Sequence, residues 1–236
     1  EGFHLKMYSI ILPCYNEISV LSSSANRTLQ FFDANPQYNW HLVIADNGSV
    51  DGTDAVAKKL AANNKQISAM SIPQKGRGHA LYQAWTKSSA DIVAYMDVDL
   101  STRIEHLLEL VQLIDLEGCE VAIGTRLSKQ SKTKRSLKRE ITSRGYVALI
   151  RLFFPSLSIT DAQCGFKALD RVTAQKIISQ TKNREWFFDT ELLIIAHKEK
   201  KKICELPVEW TEDPDSKVNI LKTAFEDIQG LIRMRF

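Results

Sequence analysis

Five short runs rich in β-branched residues, at 8–13, 41–45, 67–72, 91–96 and 120–124, alternate with stretches of helix-spaced apolar residues at 17–34, 53–63, 78–88 and 103–115. That alternation predicts an α/β chain: strands joined by crossover helices into an open, mostly parallel sheet flanked by helices on both faces. Ligands of such sheets lie beyond the carboxyl ends of the strands, so the loops after these runs are where chemistry belongs. Thr102 and Glu105 form a capping-box pattern that predicts a helix start just after the fourth strand.

The second half is less regular. Helices are expected over about 138–154 and 189–200, a short strand near 203–208, and a last amphipathic helix from about 217 to 232. Residues 127–137 have no apolar periodicity and read as a long loop, a length that is usually functional or disordered. With 236 residues, 44% of them hydrophobic and 25% charged, the chain can bury one sizeable core, so a single domain over 1–236 is expected.

A net charge of +3 is too small to call for nucleic acid, and no nucleic-acid partner is expected. Cys14, Cys119, Cys164 and Cys204 lie far apart without a C-x-x-C pair. That spacing suggests neither a zinc site nor a disulfide framework, and a reducing, cytosolic setting fits it best. No run approaches the roughly 18 to 20 apolar residues needed to cross a bilayer, and the first residues lack the pattern of a signal peptide. The chain is expected to be soluble or peripheral, unless a membrane segment lies outside this sequence.

The fourth strand ends in Asp97-Val98-Asp99. Residues two apart in an extended segment point to one side, so both carboxylates can face one ligand. Two such charges call for a cation, and Mg2+ or Mn2+ bridging a diphosphate would supply it; the plainer alternative is that one of them caps the following turn. The first strand leads into Pro13, Tyr15 and Glu17, and the second into Asp46 and a loop with Gly48, Asp51, Gly52 and Thr53. The Tyr15 ring can lie against a base, and Glu17 or Asp46 can accept from ribose hydroxyls or a base N–H. Asp51 or Thr53 as a helix cap, with Gly48 and Gly52 as turn glycines, is the competing reading.

Together these segments resemble the family 2 glycosyltransferases of GT-A (Rossmann-like) fold, with P-x-Y-N-E after the first strand, D-D/N-G-S-x-D-G-T after the second and D-x-D after the fourth. The resemblance implies that Pro13, Tyr15, Glu17 and Asp46 hold the nucleoside, that Asp97 and Asp99 mark the metal and diphosphate, and that Lys75 and Arg77 border the donor. It also implies a nucleotide-binding half over about 1–125 and an acceptor half over about 126–236.

Further segments resemble the dolichyl- and polyprenyl-phosphate glucosyl- and mannosyltransferases: Gly124-Thr125-Arg126, Lys138-Arg139, Ser143-Arg144, 160–167, 186–193 and Ser216-Lys217. By that resemblance Arg126 and Arg139 grip the acceptor phosphate, and Ser216 with Lys217 approaches the donor diphosphate. Asp189 competes as a helix N-cap, and Asp161 as a brace of its loop. The basic run from Arg126 to Arg144 has only Glu140 as an acid within it; it is either a solvated loop or a surface for an anionic membrane leaflet.

The resemblance points to inverting transfer of a hexose to the lipid phosphate at the cytoplasmic face of a membrane. UDP-glucose is the first choice of donor and GDP-mannose the second. Ser101 stands where the mannosyl pattern often has Gln, and Asn47 where a second Asp is common. A family 2 enzyme acting on a protein or polysaccharide, and a catalytically inactive nucleotide-binding module, are the alternatives.

Overall fold

A computed structural model describes residues 6–212 and 220–236. Through the first half, strand and helix alternate without a break: β1 (Met7–Cys14), α1 (Leu21–Ala34), β2 (Asn39–Asn47), α2 (Thr53–Asn63), β3 (Ile67–Ile72), α3 (Arg77–Lys87), β4 (Ile92–Met96), α4 (His106–Asp115) and β5 (Val121–Thr125). Then come β6 (Lys132–Lys134), α5 (Leu137–Phe153), β7 (Phe166–Asp170), α6 (Arg171–Gln180), α7 (Phe188–Lys198), β8 (Ile203–Pro207), β9 (Glu209–Thr211) and α8 (Ile220–Arg235).

Seven strands form one sheet in the order β3-β2-β1-β4-β7-β5-β8. β3, β2, β1 and β4 are parallel neighbours, as are β5 and β8; β7 runs antiparallel to both β4 and β5. Strand periodicity sends alternate residues to opposite layers. Ile11, Tyr95 and Ile123 pack with Trp85 of α3 and Leu192 of α7, whereas Ile10, Leu12 and Met96 pack with Phe32 of α1 and Leu107 of α4. Each such fully buried side chain contributes about 1.5–3 kcal/mol. Layers on both faces leave the strand ends and their loops as the place for a ligand.

Four features depart from expectation. β7 and α6 were not expected, and β7 interrupts the parallel order. The supposed loop over 127–137 contains β6, which pairs with β9 in a separate two-stranded sheet. Thr102 caps nothing: it is buried in a bridge with Trp210, and α4 begins only at His106. Finally, Cys119 and Cys204 form a disulfide, with Cα atoms 6.1 Å apart. They are brought together because β5 and β8 are adjacent, with Ala122 opposite Cys204; their separation of 85 positions in sequence hides this from spacing arguments.

Candidate active site

The carboxyl ends of β1, β2 and β4 lie side by side, with Cys14 opposite Asp46 and Ile11 opposite Tyr95. The loops after β1 and β2 are stitched to each other. Asn16 takes the left-handed conformation (φ 56°), its N–H donates to Ser49 Oγ at 2.8 Å, and its side-chain oxygen accepts from Val50 N at 2.9 Å. Glu17 N donates to Thr53 Oγ1 (2.9 Å), which donates in turn to Asp51 Oδ1 (2.6 Å). Asp51 also accepts from Thr53 N at 3.0 Å and so ties its loop to the start of α2, but the N-cap is Gly52 and no side chain caps the helix, so neither Asp51 nor Thr53 is the cap.

Asp46 is 3% exposed, and its Oδ2 accepts from the N–H groups of Gly48 (3.3 Å) and Ser49 (3.2 Å). Among the described residues, its Oδ1 has no partner, and neither has Oδ1 of buried Asn47. A buried acceptor without a donor is costly, and these two fit a nucleoside N–H or hydroxyl. Lys75 is exposed, with its ammonium 4.2 Å above the Tyr15 ring, so the two form one wall of this end.

Asp97 follows β4 and is 30% exposed. Its N–H donates to Gly165 O at 3.1 Å, and its Oδ1 lies 2.8 Å from Arg77 Nη2. Leu100 turns back through a left-handed conformation (φ 52°), with its N–H on Asp97 O at 3.0 Å. Asp99 is exposed on this turn and accepts from Ser101 N at 2.9 Å. Burial pushes the Asp97 carboxyl up, with Asp99 and Asp189 adding to the rise, while Arg77 and Arg126 oppose it.

Behind Asp97 stands a buried charge network. Arg77 also reaches Asp189 at 3.3 Å; Asp189 pairs with Lys167, which is 0% exposed, at 2.9 Å and accepts from the Tyr95 hydroxyl. Burial alone would raise Asp189, but Lys167 and Arg77 hold it below the usual carboxylate range. Asp189 is therefore not a helix cap; Phe187 occupies that position. Arg77 braces Asp97 from within the protein.

The residues around Asp97 and Asp99 suit a divalent ion of the magnesium type. Among the described residues no group of three or more His, Cys, Asp or Glu could hold a metal. Mg2+ is commonly bound by one or two carboxylates, with substrate phosphates and water completing the shell. The exposed Asp99 and the partly exposed Asp97 could supply that number of ligands; burial is the main cause of the rise in the Asp97 pKa, and the part Asp99 adds is repulsion a cation would relieve.

On the other side of the sheet end, Arg126 grips Asp161 with two bonds, Nε to Oδ2 at 2.7 Å and Nη2 to Oδ1 at 2.9 Å. Asp161 thus braces its loop. Arg139 pairs with Glu212 at 2.8 Å and Lys132 with Glu209 at 2.9 Å, so the basic run finds acids beyond Glu140, contributed by the segment around β9. Ser216 and Lys217 lie outside the described residues. Sequence reasoning missed Tyr95, Glu205 and Asp227. Glu205 accepts from Thr160 N (2.7 Å) and Asp161 N (3.4 Å), and Asp227 accepts from Gln163 Nε2 (3.1 Å); both signals depend on partners distant in sequence.

The sequence model described as "Glycosyl transferase family 2" matches residues 9–187. Glycosyltransferase AglD of Haloferax volcanii is 33% identical over 94% of this chain, which spans only 35% of that protein. The dolichyl-phosphate beta-glucosyltransferase of Homo sapiens is 30% identical, over 90% of this chain and 70% of that protein. The Saccharomyces cerevisiae protein of the same name is 27% identical, over 96% and 73%. Among solved structures, glucosyl-3-phosphoglycerate synthase from Mycobacterium tuberculosis, crystallised with Mn2+, UDP and phosphoglyceric acid, has a TM-score of 0.69 at 18% identity, covering 97% of this chain and 77% of that one. That likeness shows a shared fold of GT-A type. With the family match spanning most of its length, this chain is a member of glycosyl transferase family 2.

Proposed function

We propose that this chain transfers glucose from UDP-glucose to a polyprenyl (dolichyl-type) phosphate, with inversion at the anomeric carbon. The observation that carries the reading is the placement of Asp97 and Asp99 on the turn after β4, at the same sheet end as the open acceptor of Asp46. The names of the relatives, dolichyl-phosphate beta-glucosyltransferases, support the choice of sugar and acceptor. Residues 1–125 serve the donor and 126–236 the acceptor.

A phosphate monoester has its second pKa near about 6, so the acceptor oxygen is already anionic near neutral pH. No dedicated base is needed. Catalysis then rests on positioning and on charge at the departing nucleotide. Asp97 and Asp99 would hold Mg2+ or Mn2+, which supplies positive charge to the diphosphate. Arg77 fixes Asp97, and the Gly165 carbonyl fixes the Asp97 backbone.

The acceptor implies a bilayer. Among the described residues no helix is long and apolar enough to cross one. Yet α5 exposes Leu137, Ile141 and Leu152, which helical geometry places within about 60° of arc, and the same helix exposes Lys138, Arg144 and Arg151. α8 and the residue after it expose Phe225, Ile228, Ile232 and Phe236. Apolar residues interleaved with basic ones suit an anionic leaflet, which we assign as the peripheral docking partner.

The test is sugar transfer to a polyprenyl phosphate carried in phosphatidylserine vesicles, with UDP-glucose, GDP-mannose and Mn2+ compared, and free hydroxyl acceptors run alongside. Glucose transfer to the lipid, with a β-linked product, is expected. Transfer only to hydroxyls, or an α-linked product, would overturn the proposal.

A further inference from the structure

Both arginines that sequence reasoning assigns to the acceptor phosphate are already engaged, Arg126 by Asp161 and Arg139 by Glu212. A third, Arg135, is placed differently. It joins β6 to α5, and its side chain is only 5% exposed. Nη2 donates to Arg139 O and to Ser143 Oγ, each at 2.7 Å. Among the described residues, Nε and Nη1 donate no hydrogen bond. Glu140 Oε2 lies 3.5 Å from Nε, close enough to offset charge but not to hydrogen-bond well, and Glu140 is itself held by Arg144 at 2.6 Å.

The indole of Trp210 lies beside this guanidinium at 5.8 Å and beside that of Arg126 at 5.4 Å. Two cations therefore share one ring, and only one of them has a hydrogen-bonded carboxylate. A buried cation with donors left open is a poor structural element and a good anion receptor. Trp210 is held in place by the β6–β9 pairing and by its bridge to Thr102, so the site rests on a fixed wall.

We propose that Arg135, backed by the charge of Arg126 and the face of Trp210, binds the phosphate monoester of the lipid acceptor. This rests on the lipid-phosphate reading above. The incoming phosphate takes the place beside Nε that Glu140 now occupies loosely, and Glu140 remains with Arg144. Burial first, and then the neighbouring Arg126, depress the Arg135 pKa, which an arriving anion would reverse. The arginine fork matters as well as its charge, because lysine offers no planar array of donors.

The experiment measures binding of a short isoprenyl phosphate, inorganic phosphate and UDP by calorimetry, together with steady-state transfer. The proteins compared are the unaltered chain, Arg135→Gln, Arg135→Lys and the exposed-site control Lys129→Gln. Arg135→Gln is expected to weaken isoprenyl phosphate binding at least tenfold and raise its KM similarly, with UDP affinity and donor KM within twofold. Arg135→Lys recovers only part, and Lys129→Gln behaves as the unaltered chain. Should Arg135→Gln fail to bind UDP and so be misfolded, Arg135→Lys decides alone: full isoprenyl phosphate affinity in that variant overturns the proposal.

Unchanged binding in a UDP-competent Arg135→Gln, or an equal loss in Lys129→Gln, also overturns it. Equal affinity for inorganic phosphate and the isoprenyl ester would overturn the lipid assignment. Arg135-dependent phosphate binding without any sugar transfer would sink the transferase reading and leave the anion site standing. Transfer indifferent to Arg135 would do the reverse.

Discussion

A methyl group added at Gly165 would stand 2.1 Å from Oδ2 of Asp97, closer than any real contact. Gly165→Ala must therefore displace the Asp97 carboxylate, which the proposed function turns towards the donor. Misplacing a reacting group by about 1 Å can cost on the order of 100-fold in rate, so kcat of Gly165→Ala is expected to fall by about that factor. UDP affinity measured without metal should change little; retention of full kcat would show that Asp97 does not act where it stands. That Asp97, Asp99 and Asp46 stand at or just beyond strand ends could be read from their motifs. What those motifs could not convey is pairing: Arg126 reads as a free guanidinium until Asp161 is found against it, and Asp189 as a cap until Lys167 is found beneath it. Charges look free in one dimension when their partners lie in another loop.

The first four strands and their helices were legible because each is an apolar run with its own periodicity. β7 was not, since Lys167 breaks the run and points into the core, where Asp189, Tyr95 and a backbone carbonyl make its charge tolerable. The capping-box pattern at Thr102 was overridden by tertiary pairing with Trp210. α8 carries its own consequence. Asp227 on that helix is 3% exposed, with Gln163 on one oxygen and none among the described residues on the other. Burial, with Glu226 and Asp189 adding to it, pushes its carboxyl up to about 7, against the opposing influence of nearby Tyr146 and of Gln163. The folded state thus holds a proton that the unfolded chain releases near pH 4. The associated stability is complete below that pH and is lost as pH rises through about 7. Asp227→Asn should flatten the fall in melting temperature between pH 5 and pH 8, an effect on the order of a few kcal/mol; parallel curves for the two proteins would refute it.

The Cys119–Cys204 disulfide ties β8, at the border of the sheet, to the chain entering β5. Closing a loop of that length contributes about 4 kcal/mol through the unfolded state. Reduction, or Cys119→Ser with Cys204→Ser, should lower the melting temperature by on the order of 10 °C; an unchanged midpoint on adding reductant would show that the bond is not formed in solution. The plan of the molecule could be read from its sequence, and this bond could not, because only the completed sheet makes the two cysteines neighbours. The antiparallel β7 has a final consequence. The segment leading into it gives Asp161 to the arginine wall, Gln163 to the last helix and Gly165 to the back of Asp97. Anyone exchanging the second half of this chain for that of a cousin would have to carry 160–167 across with it, since a chimera joined anywhere inside that stretch severs the contacts behind Arg126, α8 and Asp97 at once.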